Sequence, residues 1–118
     1  MIRYTLPYPP TTNHLFATAG AKRVKSRAYR AWIDAAGCEI MAQGRQRVHG
    51  PVTLAIALRR PDKRKRDLSN AIKAVEDLIV SMGVIDDDSL VQRLSVQWVS
   101  DGAPCTVLIM EHSEELAA

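Results

Sequence analysis

The chain has 118 residues, two cysteines and a formal net charge of +3, values of an ordinary globular protein. No apolar run approaches the roughly 20 residues of a membrane span. The N-terminus, MIRYTLPYPP, lacks the apolar core of a signal peptide, and Cys38 and Cys105 do not form a metal-binding spacing. A single cytoplasmic domain over residues 1–118 is expected, with both cysteines as small core residues.

IRYTLP (2–7) predicts a short strand. PYPPTTNHLFATAGAKRVKS (7–26) has no sustained period, so a long loop is expected, and loops of that length in a small domain are often functional. SRAYRAWIDAAGCEIMAQ (26–43) predicts a helix. Ser26 is its N-cap, Tyr29, Trp32, Ile33, Ala36 and Ile40 recur at helical spacing, and Gly44 is its stop. After the Gly-Pro break at 50–51, VTLAIALRR (52–60) is apolar on both faces, as a central strand would be. Leu68, Ile72, Val75, Ile79 and Met82 form one apolar stripe, which predicts a helix from Asp67 to Met82 ended by Gly83. LVQRLSVQWV (90–99) alternates as a strand does, with Val91, Arg93, Ser95, Gln97 and Val99 on one face and Leu94, Val96 and Trp98 on the other. SDGAP (100–104) reads as a turn and CTVLIMEH (105–112) as the last strand, giving a terminal hairpin. The expected fold is α+β: a mixed sheet of about four strands with two helices packed on it, in the order β-α-β-α-β-β.

The charges are unevenly spread. Arg59, Arg60, Lys63, Arg64, Lys65 and Arg66 fall within eight positions, and Lys22, Arg23, Lys25, Arg27 and Arg30 form a second set. Such patches on a chain that is not strongly basic point to a local polyanion site, against the plainer reading of a solvated surface. Asp67 stands at the head of the second helix, where a carboxylate is favoured as a cap. Ser69, Asn70 and Lys73 share a face roughly opposite the apolar stripe. Asp86, Asp87 and Asp88 follow the helix in a loop. Taken alone they are a solvated turn, but if the next strand runs beside strand 52–60 they can return toward Asp67. Carboxylates brought together repel one another unless a cation sits among them, and hard oxygen donors select Mg²⁺ or Mn²⁺. Next to a cationic run, that combination suits a metal-dependent nuclease.

These residues resemble the RusA family of Holliday junction resolvases along nearly the whole chain. TLPYPPTTNHLF is similar to the family's Pro-Pro-x-x-Asn segment and SRAYRAW to its first helix. PDKRKRDLSNAIKAVEDLIVSMGVIDDDSLV is similar to its central signature: a basic run, Arg-Asp-Leu-Asp-Asn, a Lys, then an Asp-Asp pair after Gly. The resemblance implies a homodimeric, Mg²⁺-dependent endonuclease of the kind found on phages and prophages, cutting four-way DNA junctions symmetrically in recombination and repair, with Mn²⁺ as a possible substitute. By position, Asp67 is the first acid, Lys73 the catalytic lysine, Asp88 the downstream metal acid and Asp87 its neighbour. One departure matters: Ser69 stands where the family has its second acid. Either Asp86 or Asp87 supplies the missing carboxylate, or the protein binds junctions and cuts poorly; the sequence favours the first. The expected roles are therefore Asp67, Lys73 and Asp88 in catalysis, and Asp67 and Asp88, supported by Asp87 or Ser69, on the metal. Lys63, Arg64, Lys65, Arg66, Asn70 and Asn13 are the expected DNA contacts, with His14 read as a surface residue. The rival readings are a non-catalytic module binding structured nucleic acid and a structural subunit docked on an acidic partner.

Overall fold

The computed structural model describes residues 1–11, 15–20 and 22–113. Its main sheet has the order β1-β6-β4-β5, built from β1 (Ile2–Leu6), β4 (Val52–Arg59), β5 (Val91–Val99) and β6 (Cys105–Glu111). β4 is central, as its apolar run predicts. It pairs parallel with β5 and antiparallel with β6, and β6 pairs antiparallel with β1. Helices α1 (Arg27–Gln43) and α2 (Ile72–Ser81) supply one side of the core. Ile2, Tyr4, Leu6, Val52, Leu54, Ile56, Leu58, Cys105, Val107 and Ile109 alternate inward from three strands to meet Tyr29, Trp32, Ile40, Val75, Leu78 and Ile79. Each fully buried Leu or Ile contributes roughly 1.5–3 kcal/mol.

The helix boundaries follow from local chemistry. Ser26 caps α1 by accepting the Tyr29 N–H at 3.1 Å, and the Gly44 N–H donates back to Met41. Gly83, at φ 74°, turns the chain out of α2, and a Cβ there would come within 3.1 Å of an Arg45 guanidinium nitrogen. The first turn predicted for the second helix is instead a 3₁₀ turn, Leu68–Ala71. No helix among the described residues is long and apolar enough to cross a membrane.

Four expectations are corrected. The segment 7–26 is not all loop: Phe16–Ala19 (β2) and Lys22–Lys25 (β3) pair as a small antiparallel sheet, anchored by buried Leu15 and by the Arg23 guanidinium 4.1 Å from the Phe16 ring centroid. The last two strands are not a hairpin, because β6 inserts between β1 and β4. The 100–104 connection crosses the end of β4, where the Arg59 N–H donates to the Pro104 carbonyl at 3.1 Å. Val91 does not share a face with Arg93: Val52 pairs with Val91 but Thr53 pairs with Arg93, and this bulge turns Val91 against the core. Finally, Cys105 is buried but Cys38 is exposed on α1.

Burial pushes the Cys105 thiol up to about 12, so it stays protonated and unreactive in the folded state. A thiol reagent near pH 8 should therefore label one cysteine per native chain, Cys38, and both after denaturation. Two thiols reacting at equal rates in the native protein would contradict the packing of β6.

Candidate active site

The spine of the site is α2 with its 3₁₀ head. Asp67 precedes that head in extended conformation, exposed, and its side chain makes no capping hydrogen bond. Capping therefore does not explain this carboxylate. Ser69 is exposed and Asn70 half-buried. Lys73 points outward from the first turn of α2 and donates to Asp77 four residues on, with Nζ 3.2 Å from Oδ1 and 3.0 Å from Oδ2. Asp77 was not among the residues singled out from the sequence. The available signal was its i+4 spacing from Lys73 on the polar side of the stripe.

Asp88 lies on the other wall. It opens onto a concavity of about 430 Å³ whose lining includes Asp77, Ser81, Asp87, Asp88, Tyr29 and Lys25. Lys25 comes from β3, the strand hidden in the segment read as loop, and its ammonium stands 5.9 Å from the Tyr29 ring centroid. Three carboxylates and one ammonium thus share a single hollow. Its electrostatics are those of an anionic cluster. The Glu76 carboxyl is pushed up first by burial, then by the charges of Asp88 and Asp77. The Lys73 ammonium is held protonated by its hydrogen bond to Asp77, with Asp88 adding to the effect.

The three acids of the 86–88 loop have separate fates. Asp86 accepts from Arg47 at 2.9 Å and contacts His49 at 3.3 Å, and these bonds hold its carboxyl below the usual range. Asp87 accepts the Ser89 N–H at 3.1 Å and the Ser89 hydroxyl, capping the 3₁₀ turn Asp88–Leu90. Asp87 and Asp88 open into the concavity; Asp86 does not line it.

β5 does run beside β4, but parallel to it. The acidic loop therefore enters at the Val52 end of β4, whereas the chain leaves toward Asp67 from the Arg59 end. Asp67 lies before the 3₁₀ turn Leu68–Ala71, and Asp77 lies in the second half of α2. Lys73, Asp77, Asp87 and Asp88 are brought together; no hydrogen bond or ion pair joins Asp67 to them. Asp77, Asp87 and Asp88 offer the hard oxygen donors that fit Mg²⁺ or Mn²⁺. Among the described residues, however, no three His, Cys, Asp or Glu side chains are already arranged around a metal position.

Residues 7–111 match the family of the endodeoxyribonuclease RusA. The chain belongs to the RusA endodeoxyribonuclease family. No curated protein matches it. The matched span takes in both helices, the small β2–β3 sheet and the whole concavity.

In this RusA-family chain the basic run has internal structure. Asp62 accepts from Arg66 Nη2 at 2.7 Å and Nε at 3.2 Å, and from Arg64 Nε at 3.1 Å. The Arg66 bonds, then those of Arg64, keep the Asp62 carboxyl far below the ordinary carboxylate range. The Arg66 side chain is 21% exposed, against 80% for Arg64. Lys63 and Lys65 are exposed on the same loop. Asn13 and His14 lie outside the described residues.

Proposed function

We propose that this chain is a divalent-metal-dependent endonuclease that acts in the cytoplasm as a homodimer and cuts four-way DNA junctions symmetrically, with Mg²⁺ as its ion and Mn²⁺ as a substitute. The observation that carries the reading is the hollow in which Asp77, Asp87 and Asp88 face Lys25, with Lys73 bonded to its rim, in a member of the RusA family.

The bound cation would polarise the phosphodiester and favour attack by water. Asp88 and Asp77 would hold it, with Asp87 oriented by Ser89. Asp67 and Ser69, at the helix head and outside the lining of the hollow, remain proposed supporting ligands, and Asp77 compensates for the acid that Ser69 lacks. Asp86, bonded to Arg47 and His49, is assigned no ligand role. Lys73, bonded to Asp77 at the rim, would contact the scissile phosphate and offset developing negative charge there. Lys25 binds the same phosphate from across the hollow. Lys63 and Lys65, with Arg64 and Arg66 steadied by Asp62, hold flanking phosphates; such contacts position DNA without reading its sequence. Asn70 and Asn13 remain proposed DNA contacts. Ser69 in place of an acid favours a second reading, a junction-binding protein that cuts slowly.

A synthetic four-way junction and a linear duplex of the same sequence, incubated with and without Mg²⁺, separate the two. The expected result is paired nicks at symmetric positions in the junction alone, dependent on the ion. Junctions bound but left intact with both Mg²⁺ and Mn²⁺ would overturn the enzyme in favour of the binding protein.

A further inference from the structure

At the opposite end of β5 from the acidic hollow, the Arg60 guanidinium lies 4.4 Å from the Trp98 ring centroid. The two meet because β4 and β5 are parallel and in register: Leu58 pairs with Trp98 and Arg59 with Val99, so Arg60 emerges beside the indole. Trp98 is only partly packed on the core. The stack borders a concavity of about 480 Å³ lined by Arg59, Arg60, Trp98, Val99 and Ser100, a size typical of small-ligand clefts. Its floor is fixed, since Arg59 Nη1 donates to the Gly102 carbonyl at 2.7 Å. Two arginines and no carboxylate line it, and the cationic run 63–66 begins three residues beyond Arg60. The other tryptophan differs: Trp32 is buried and donates its Nε1–H to the Pro7 carbonyl at 2.9 Å.

A half-exposed indole roofed by a guanidinium in a positive hollow has the chemistry of a base-stacking platform. Aromatic faces and guanidinium planes both stack unpaired bases, and the adjoining cation takes the phosphate. We propose that Trp98 and Arg60 form a stacking site for an unpaired nucleobase, with the base lying on the indole and Arg60 moving to the adjacent phosphate. The proposal rests on the nucleic-acid reading above for its partner. Asp88 just precedes β5, and Val91 to Val99 spans about 26 Å of strand, or about eight nucleotides at roughly 3.4 Å each. The platform therefore takes no part in the cleavage chemistry. It selects strands that offer an unstacked base, as branched or single-stranded DNA does and an intact duplex does not.

The test uses the full chain in EDTA, which removes cleavage from the readout. A single-stranded oligothymidylate should quench tryptophan emission saturably, and the quench should vanish in Trp98→Ala. Stacking is worth about 5- to 150-fold in affinity per base, so in Trp98→Ala the preference for oligothymidylate over duplex should fall by a factor in that range. Trp98→Phe, which keeps an aromatic face, should retain most of the preference and guards against a folding defect. Unchanged preference in a folded Trp98→Ala overturns the platform while leaving the nuclease reading intact. Quenching by polyglutamate but not by oligothymidylate also overturns it, in favour of an acidic protein partner. Absence of binding to any DNA, four-way junctions included, overturns the platform and the nuclease reading together.

Discussion

Asp88→Asn should lower Mg²⁺-dependent junction cleavage by more than about 100-fold while leaving junction binding equal or slightly tighter. Changes to residues that merely support a metal ligand cost about 10- to 100-fold, and loss of a ligand itself should exceed that. Asp88 is the member of the 86–88 trio that faces the hollow without being committed to a cap, as Asp87 is, or to a guanidinium, as Asp86 is. The side chain is exposed, so Asn fits without repacking. Removing one negative charge from a surface that binds phosphates does not weaken binding. Single-turnover cleavage and a gel-shift titration on the same junction separate the two quantities. A variant that cuts at the wild-type rate, or that loses binding and cutting together, would remove Asp88 from the metal.

Lys73→Ala should reduce the cleavage rate by about 100- to 1000-fold, the range seen when one donor that stabilises transition-state charge is removed. Its signature is a split between chemistry and metal affinity. The Lys73–Asp77 bond ties up a carboxylate that the proposed ion would use. Without the lysine that carboxylate is free, so Mn²⁺ should bind at least as tightly as in the wild type while cutting fails. The pair is exposed, with side-chain exposures of 53% and 38%, so its loss costs folding no more than about 0.5 kcal/mol. Weaker metal binding in Lys73→Ala, in step with the rate, would mean that the lysine only positions Asp77.

Much of the architecture is legible along the chain because its elements declare themselves locally. The α1 stripe carries its own cap in Ser26 and its own stop in Gly44, and β4 reads as central because apolar residues occupy both its faces. Placement is harder, because it depends on partners distant in sequence. CTVLIMEH after SDGAP looks like the return of a hairpin, yet β6 finds β1 and β4, which bury Cys105, Val107 and Ile109 fully. The β2–β3 pair is hidden for another reason. Apart from Phe16 its residues are small or charged, and all but Phe16 are exposed, so no alternation marks it, and its anchors are one leucine before it and a cation over the Phe16 ring.

The site divides in the same way. Lys73 and Asp88 stand out by motif and are close enough for the charge of one to act on the other. Asp77 is hidden because a polar residue on the outer face of an amphipathic helix is what any such helix carries, and Lys25 because its strand is. Asp67 stands out most in the sequence but is not in the lining of the hollow: β5 pairs parallel with β4, so the acidic loop enters at the Val52 end of β4 while the chain leaves toward Asp67 from the Arg59 end.

In the proposed enzyme the hollow between α2 and the 86–88 loop holds a divalent cation on Asp77 and Asp88. Titration of the full chain with Mn²⁺, followed by electron paramagnetic resonance of the free ion, tests it without DNA or turnover. The wild type should take up Mn²⁺ competitively with Mg²⁺, and uptake should weaken by at least about 10-fold in Asp88→Asn and in Asp77→Asn. Equal uptake by wild type and both variants, or none by the wild type, would contradict it.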